Sequence, residues 1–138
     1  MVKMNKLNSS TKGNYGELLV ATWATGQGYY VGFMPQQCPY DLVVDNGTGP
    51  KRIQVKSISK TKNGTVPFCL DVTHKKNNNT VYSHNNIDYI AIVEPNLKII
   101  AWIPICFLDG KKNIQLRIDP PKNNQIKNVV WFTDFSNF

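Results

Sequence analysis

Four polar residues in the first half of the chain have the types and the spacing of a hydrolytic site. Glu17 lies in a segment with helical character, Asp41 opens a short apolar run, and Gln54 and Lys56 stand two apart in the next run. Residues two apart in a strand share one face of the sheet, so the amide and the ammonium would project together. If the two runs pair as a hairpin, Asp41 comes within side-chain reach of both.

Two carboxylates, an amide and an ammonium are the groups that metal-assisted hydrolysis of a phosphodiester needs. Mg²⁺ prefers carboxylate and carbonyl oxygens and keeps several of its waters. It lowers the pKa of a bound water and neutralises charge on the phosphate, and a lysine adds positive charge beside the transition state. Ordinary structural roles are the alternative: an ion pair of Glu17 with Lys12, a turn capped by Asp41, and solvated strand positions for Gln54 and Lys56. The combination of the four favours hydrolysis.

One helix and a series of strands must position these residues. N-cap hydroxyls, an apolar spacing of three and four residues, and two following glycines predict a helix over residues 10–25. A lone carboxylate on such an apolar helix, Glu17, requires a cation, a metal ion or hydrogen bonds. Strands are predicted over residues 29–34, 41–45, 51–59, 66–72, 88–93, 98–103 and 113–118, with an apolar segment at 129–132.

Turn signals indicate how some of these strands pair. Asn46-Gly47, followed by Pro50, predicts an antiparallel hairpin between the second and third strands, and Pro95-Asn96 predicts another between residues 88 and 103. One helix followed by a β-rich body is typical of an α/β or α+β fold with a mixed sheet. The length of 138 residues fits a single domain spanning residues 1–138.

The same residues resemble the active-site pattern of the PD-(D/E)xK nuclease superfamily. The resemblance runs from Lys-Gly-Asn-Tyr-Gly-Glu at 12–17, through Pro-Tyr-Asp-Leu-Val-Val at 39–44, to Ile-Gln-Val-Lys-Ser at 53–57. The order of helix glutamate, strand aspartate and strand lysine is that of the family. The resemblance implies an α/β fold with a restriction-endonuclease-like core, in which the N-terminal helix packs on a mixed central β-sheet and further strands and short helices follow.

By position, the resemblance implies a role for each residue of the pattern. Asp41 would be the central metal ligand, Val55 would contribute its main-chain carbonyl, and Glu17 would bind the metal or its waters. Lys56 would be the catalytic ammonium, and Gln54 a ligand or a group that positions water. The implied cofactor is Mg²⁺, with Mn²⁺ expected to substitute. Gln54 stands where the family usually has Asp or Glu, so weaker metal affinity is expected.

The Gln-x-Lys variant is similar to that of small homing endonucleases encoded in group I introns, whereas Holliday-junction resolvases usually keep glutamate. The resemblance therefore implies a homing-type endodeoxyribonuclease first and a resolvase second. Duplex cleavage requires two cuts, so a homodimer or homotetramer is expected, and the apolar tail at 129–138 is a candidate subunit contact. A non-catalytic DNA-binding module with a decayed site, or a basic structural protein of a virus or mobile element, is the alternative from another class.

The charge balance independently favours a polyanionic partner such as double-stranded DNA. The chain has 16 Lys and Arg against 9 Asp and Glu, a net charge of +7. Residues 46–70 contain no acid. That segment carries the candidate phosphate contacts Lys51, Arg52, Lys60 and Lys62. Polar loops at 73–86 and 122–128 are candidate base contacts.

Several other classes are excluded by the sequence. The longest apolar run, residues 99–107, is far shorter than the roughly 20 residues that span a bilayer, and no signal peptide opens the chain, so no membrane partner is expected. Cys38, Cys69 and Cys106 form no CxxC pair and are expected to be buried thiols in a reducing, cytoplasmic and nucleoid-associated protein, with a phage or mobile-element origin also compatible. His74 and His84 lack the ββα surroundings of an HNH nuclease.

Overall fold

A computed structural model describes residues 7–69, 71–72, 80–81, 86–125 and 127–138. Helix α1 (Ser9–Gly26) is followed by strands β1 (Tyr30–Phe33), β2 (Leu42–Asp45), β3 (Pro50–Ser57), β4 (Thr65–Cys69), β5 (Asp71–Val72), β6 (Thr80–Val81), β7 (Tyr89–Glu94) and β8 (Ile99–Pro104). The 3₁₀ helix η1 (Ile105–Leu108), β9 (Asn113–Arg117), β10 (Val130–Trp131) and the 3₁₀ helix η2 (Phe132–Phe135) complete the order. The predicted α/β class, with its mixed sheet and its short helices after the first one, is confirmed. The loop histidines His74 and His84 lie outside the described residues.

Helix α1 matches the predicted 10–25 to within one residue at each end, but its cap differs from the prediction. Asn8, rather than a serine or threonine hydroxyl, accepts from the Thr11 main-chain N–H at 2.8 Å and from the Thr11 hydroxyl at 2.9 Å. The helix ends at Gly26, and Gly28 reverses the chain with a φ of +82°. No helix in the described residues has the length and apolar content needed to cross a membrane.

The central sheet has five strands in the order β1-β2-β3-β7-β8. The predicted hairpins are both present: β2 and β3 are antiparallel with Leu42 opposite Ile53, and β7 and β8 are antiparallel with Ala91 opposite Trp102. The two hairpins join through a parallel pairing of β3 with β7, which makes the sheet mixed. The predicted strand 66–72 is divided between β4 and β5, which belong to different sheets.

Each face of the central sheet is covered by a different layer. On one face, Val20 and Ala24 of α1 pack against Leu42, Ile53 and Trp102 among others. The other face is covered by a second sheet in the order β10-β9-β4, whose inward side chains pack on alternate residues of β7 and β8. Because β7 and β8 are covered on both sides, they are apolar at nearly every position.

The C-terminal tail, expected as a subunit contact, packs within the chain. Phe132 is 2% exposed, and the ring of Phe138 lies 4.7 Å from that of Trp102 and 5.1 Å from that of Tyr89. Phe132 and Phe138 therefore already have partners in their own chain.

The expectation that the three cysteines are buried is wrong. Cys69 and Cys106 are exposed and Cys38 is half-buried. Cys69 belongs to β4, where side chains alternate between the core and the surface, and Phe68 takes the inward position beside it. The exposure of Cys69 therefore follows from its position in the alternating strand and not from the apolar character of the thiol.

Candidate active site

Asp41 lies at the point where β2 and β3 separate. Its main-chain N–H donates to the Ile53 carbonyl at 2.9 Å, which is the last ladder bond of the hairpin on this side. One step further, the Asp41 carboxylate oxygen Oδ2 accepts from the Val55 N–H at 2.8 Å and from the Gln54 side-chain amide Nε2 at 2.8 Å. The aspartate side chain thus replaces a strand carbonyl as the partner of β3, and its orientation is fixed by two hydrogen bonds.

The geometry of β3 also places a main-chain carbonyl at this point. In an antiparallel ladder a residue offers its N–H and its C=O to the same neighbouring strand. Since the Val55 N–H points toward β2 and reaches Asp41, the Val55 carbonyl leaves β3 on that same side. The Val55 carbonyl and the Asp41 carboxylate therefore share the opening between the two strands.

Gln54 and Lys56 project from the face of the sheet opposite α1. Ile53 and Val55 are buried against the helix side, and strand alternation turns Gln54 and Lys56 to the other side. Gln54 donates to Asp41 through its amide nitrogen Nε2, because a carboxylate only accepts. The Lys56 ammonium lies within electrostatic range of the Asp41 carboxylate.

Glu17 lies on the helix side of the site. The preceding residue, Gly16, has no side chain and so lets helix α1 approach β3 closely. A Cβ on Gly16 would lie 3.0 Å from Ser57 Cβ and 3.6 Å from Val55 Cγ1, so the backbone of α1 packs directly on β3. The next residue, Glu17, is half-buried. Its pKa is raised, first by burial and second by the negative charge of Asp41, so the two carboxylates are electrostatically coupled.

The pKa of each of the two carboxyl groups, Asp41 and Glu17, is raised above its ordinary value. Burial raises the pKa of Asp41, and the hydrogen bond from Val55 and the charge of Lys56 only partly oppose that rise. Glu17 is raised as well. Asp41 and Glu17 are thus two partly desolvated carboxyl groups in electrostatic contact, and a bound cation would balance their charge.

The described residues contain no cluster of three or more His, Cys, Asp or Glu side chains that could hold a metal ion. The donors that the fold brings together are two carboxylates, Asp41 and Glu17, with the amide oxygen of Gln54 and the carbonyl of Val55. All four donors are oxygens, which are the ligands that Mg²⁺ prefers. The residues present therefore fit a hard divalent cation, with an amide in the place of a third acid.

Two of the four candidate phosphate contacts are engaged in ion pairs. Arg52 donates through Nε and Nη2 to Asp88, each at 3.0 Å, and its main-chain N–H reaches Asp88 Oδ2 at 2.7 Å. Lys60 Nζ lies 2.9 Å from Asp119 Oδ2. Lys51 is half-buried and Lys62 is exposed. The sequence pattern missed both pairings because each acid lies far along the chain.

Two further residues support the site and were not identified from the sequence. Glu94 is 1% exposed and accepts from the main-chain N–H groups of Lys60 at 3.0 Å and Leu97 at 2.7 Å, so it ties the segment after β3 to the β7–β8 turn. Gly16 is the second. A glycine inside a helix costs about 1 kcal/mol relative to alanine, so its presence in the sequence could have indicated that another element packs closely against α1 at this point.

Comparison with known proteins identifies the family of the chain. The family model described as PD-(D/E)XK endonuclease matches residues 7–138, and the chain belongs to that family. The chain is similar in structure to a bacterial homing endonuclease, I-Ssp6803I, with a TM-score of 0.74 and 21% identity over 88% of this chain and 86% of that one. No curated protein sequence matches the chain.

A second similar structure is the Holliday junction resolvase Hjc of Archaeoglobus fulgidus. The TM-score is 0.53 and the identity 19%, over 77% of this chain and 84% of that one. At these identities both likenesses describe the fold, and they confirm the restriction-endonuclease-like core. Membership of the family implies endonuclease activity on DNA, and nucleases of this family generally use divalent metals.

Proposed function

We propose that this chain is a single-domain, Mg²⁺-dependent and site-specific endodeoxyribonuclease of the homing type. The observation that carries the proposal is the fixing of Asp41 by Gln54 and Val55 at the opening between β2 and β3, beside Lys56 and Glu17. These are the residues and the order that the family pattern requires, with one amide in place of an acid.

Asp41 and Glu17 are the charged ligands of the proposed site. The Val55 carbonyl and Gln54 Oε1 are neutral oxygen donors beside them, and Mn²⁺ is expected to substitute because it accepts the same oxygen donors. When bound, the divalent cation would neutralise charge on the phosphate and lower the pKa of a bound water molecule. The hydrogen bonds from Gln54 and Val55 keep Asp41 in one orientation before any ligand arrives.

Lys56 contributes a fixed positive charge next to the position of the scissile phosphate. A phosphodiester gains negative charge on its non-bridging oxygens as water attacks, and an ammonium within reach stabilises that charge more than it stabilises the substrate. Lys56 and the Asp41 carboxylate interact electrostatically.

Homing-type cleavage of a long duplex site is favoured over junction resolution. The Gln-x-Lys pattern of Gln54 and Lys56 supports it, and so does the greater structural similarity to a homing endonuclease than to a resolvase. Cutting both strands requires two active sites, so the proposal includes a homodimer or homotetramer. The proposed partner is double-stranded DNA.

The proposal is tested by incubating the purified protein with a supercoiled plasmid, a library of long duplexes and a four-way junction. Each substrate is tested with Mg²⁺, with Mn²⁺ and with EDTA. We expect metal-dependent cleavage of a small number of duplex sites and none in EDTA. Symmetrical nicking of junctions without sequence preference would assign a resolvase instead. Binding of DNA without cleavage under every metal condition would leave a non-catalytic binding module.

A further inference from the structure

A polar groove of about 460 Å³ lies on the second sheet, away from the candidate active site. Strand β9 and the segments at 63–65, 121–125 and 128–130 line it. Five of its side chains are amides: Asn63, Gln115, Asn123, Gln125 and Asn128. Its charged side chains are the cations Arg117 and Lys122, and no acid lines it within the described residues.

The floor of the groove is the outer face of β9. Ile114 and Leu116 point into the core, so Gln115 and Arg117 point outward. Arg117 Nη1 donates to the Asn63 carbonyl and to the Asp119 carbonyl, both at 3.1 Å. These bonds connect the floor to the loops on either side, so the groove is held in shape by the fold itself.

The chemistry of the lining favours base edges as the ligand. A side-chain amide presents a donor and an acceptor in one plane, which matches the N6 and N7 positions of adenine in the major groove. A site for an apolar small molecule would be lined mainly by apolar and aromatic side chains, and this one is lined mainly by amides. The two cations, with no acid among the described lining residues, suit the negative charge of a nucleic acid.

The length of the intervening chain limits the distance between the groove and the active site. Asn63 follows Lys56 by seven residues. A fully extended chain spans at most about 3.5 Å per residue, so the two residues lie within about 25 Å of each other. That distance corresponds to roughly seven base pairs of duplex at 3.4 Å each.

We propose that this groove reads the bases of the duplex that the active site cuts, with Gln115 and Gln125 as specificity-determining contacts. The inference rests on the proposed function, because it assumes a DNA substrate. It adds the location of sequence recognition: the amide side chains of the second sheet and of the loop after Pro121.

The test separates binding from cleavage by using the Lys56→Ala protein. This variant selects from a pool of duplexes with a randomised segment, in Mg²⁺. Selection is repeated with Gln115→Ala and Gln125→Ala added, singly and together. Gln27→Ala on the same background is the matched control, since Gln27 is an exposed amide at the end of α1, outside the groove. Kd values are then measured for the most enriched duplex and for a scrambled duplex of the same composition.

We expect the groove variants to bind the enriched duplex between about fivefold and about a hundredfold more weakly, because each bidentate base contact contributes about 1–3 kcal/mol to discrimination. Their affinity for the scrambled duplex should stay within about twofold, and Gln27→Ala should select the same sequence as its parent. Gln115 and Gln125 are exposed, so their replacement leaves the core intact.

Three outcomes would overturn the inference. Equal weakening on both duplexes would show that the groove contacts phosphates without reading bases, and an unchanged selected sequence would place recognition elsewhere. Failure of the Lys56→Ala protein to bind any duplex would reject the DNA substrate itself, and with it the proposed function. The first two results leave the proposed nuclease activity untouched.

Discussion

The side chain of Gln54 donates a hydrogen bond of 2.8 Å to Asp41 Oδ2, at the position where an acid usually stands two residues before the lysine. An acid there would face Asp41 with a second negative charge, whereas the amide offers a donor. The amide thus fixes Asp41 without a cation present. In exchange, the site has two carboxylates in place of three, which lowers its electrostatic attraction for a divalent metal.

Gln54→Glu should make the protein less stable in the absence of metal and should make its Tm rise more when metal is added. Two carboxylates about 3 Å apart repel and lose the amide donor, so we expect the free energy of unfolding to fall by about 1–3 kcal/mol in EDTA. Added Mg²⁺ should raise the Tm more than in the wild type, and the Kd for Mg²⁺ should fall by about tenfold, since ligand charge tunes affinity. Thermal melting and calorimetric titration measure both effects.

Gln54→Ala is the matched control, because it removes the hydrogen bond and adds no charge. Its loss of stability in EDTA should be about 1 kcal/mol and its affinity for Mg²⁺ should not increase. A Gln54→Glu protein whose melting responds to Mg²⁺ no more than that of the wild type would show that Gln54 does not face the cation.

Lys56→Ala should abolish cleavage while preserving the binding of DNA. The ammonium acts on charge that develops in the transition state, so we expect the cleavage rate to fall by at least about a hundredfold. It is one of 16 Lys and Arg residues, so the Kd for duplex should change by no more than about threefold. Single-turnover cleavage and fluorescence anisotropy measure the two quantities.

Lys112→Ala removes the same charge from an exposed position and controls for the loss of positive charge alone. It should cleave at the wild-type rate. If Lys56→Ala instead cleaves normally, or if both lysine variants lose binding in parallel, Lys56 is a surface cation and the proposed chemistry is wrong.

The local part of the site could be predicted from the sequence because it depends on register. The Asn46-Gly47 turn sets the β2–β3 hairpin, and a hairpin that pairs Leu42 with Ile53 brings the neighbouring Asp41 within side-chain reach of Gln54. Strand alternation then sets the face of Lys56 without further information. Helix α1 was likewise predictable, since its caps and its apolar spacing lie within one segment.

The non-local part of the site could not be predicted in this way. The pairing of Arg52 with Asp88 joins residues 36 apart and follows from the parallel contact of β3 with β7, which no turn signal encodes. The same limit applies to Lys60 and Asp119, which are 59 apart. A basic segment that looks like a continuous DNA contact in the sequence is therefore partly neutralised by acids that the fold brings to it.

Gly16→Ala should impair catalysis more than stability. The new methyl group would lie 3.0 Å from Ser57 Cβ, so α1 or β3 must shift by a few tenths of an ångström. Alanine is favoured over glycine in a helix by about 1 kcal/mol, which offsets much of that strain. The shift displaces Glu17, and we expect cleavage to fall by about tenfold to a hundredfold with a Tm close to that of the wild type.

Gly13→Ala, on the same helix, provides the comparison. A Cβ at Gly13 meets nothing within 4 Å, so this variant should gain up to about 1 kcal/mol of stability and keep its cleavage rate. Equal cleavage rates for the two alanine variants would show that the close packing of α1 on β3 does not position Glu17.

Asp88→Asn should remove a pH-dependent part of the stability. The pKa of Asp88 is lowered from its ordinary value of 3.8, chiefly by the hydrogen bonds from the Arg52 guanidinium. A lowered carboxyl pKa means that the unfolded chain binds a proton more readily, so this contribution is fully present above pH 3.8 and is lost as the pH falls through the folded-state pKa. Both side chains are 32% exposed, so solvent screening limits the contribution to about 1 kcal/mol.

The measurement is urea unfolding of the wild type and Asp88→Asn between pH 7 and pH 3. Asparagine keeps an acceptor for the Arg52 main-chain N–H, so the substitution tests the charge more than the backbone contact. The difference in unfolding free energy should be constant from pH 7 to about pH 5 and shrink toward zero below the ordinary pKa. Glu17 and Asp41 titrate in both proteins, so their effect cancels in the difference. A difference that stays the same at pH 3 would mean that the ion pair does not set the pKa of Asp88.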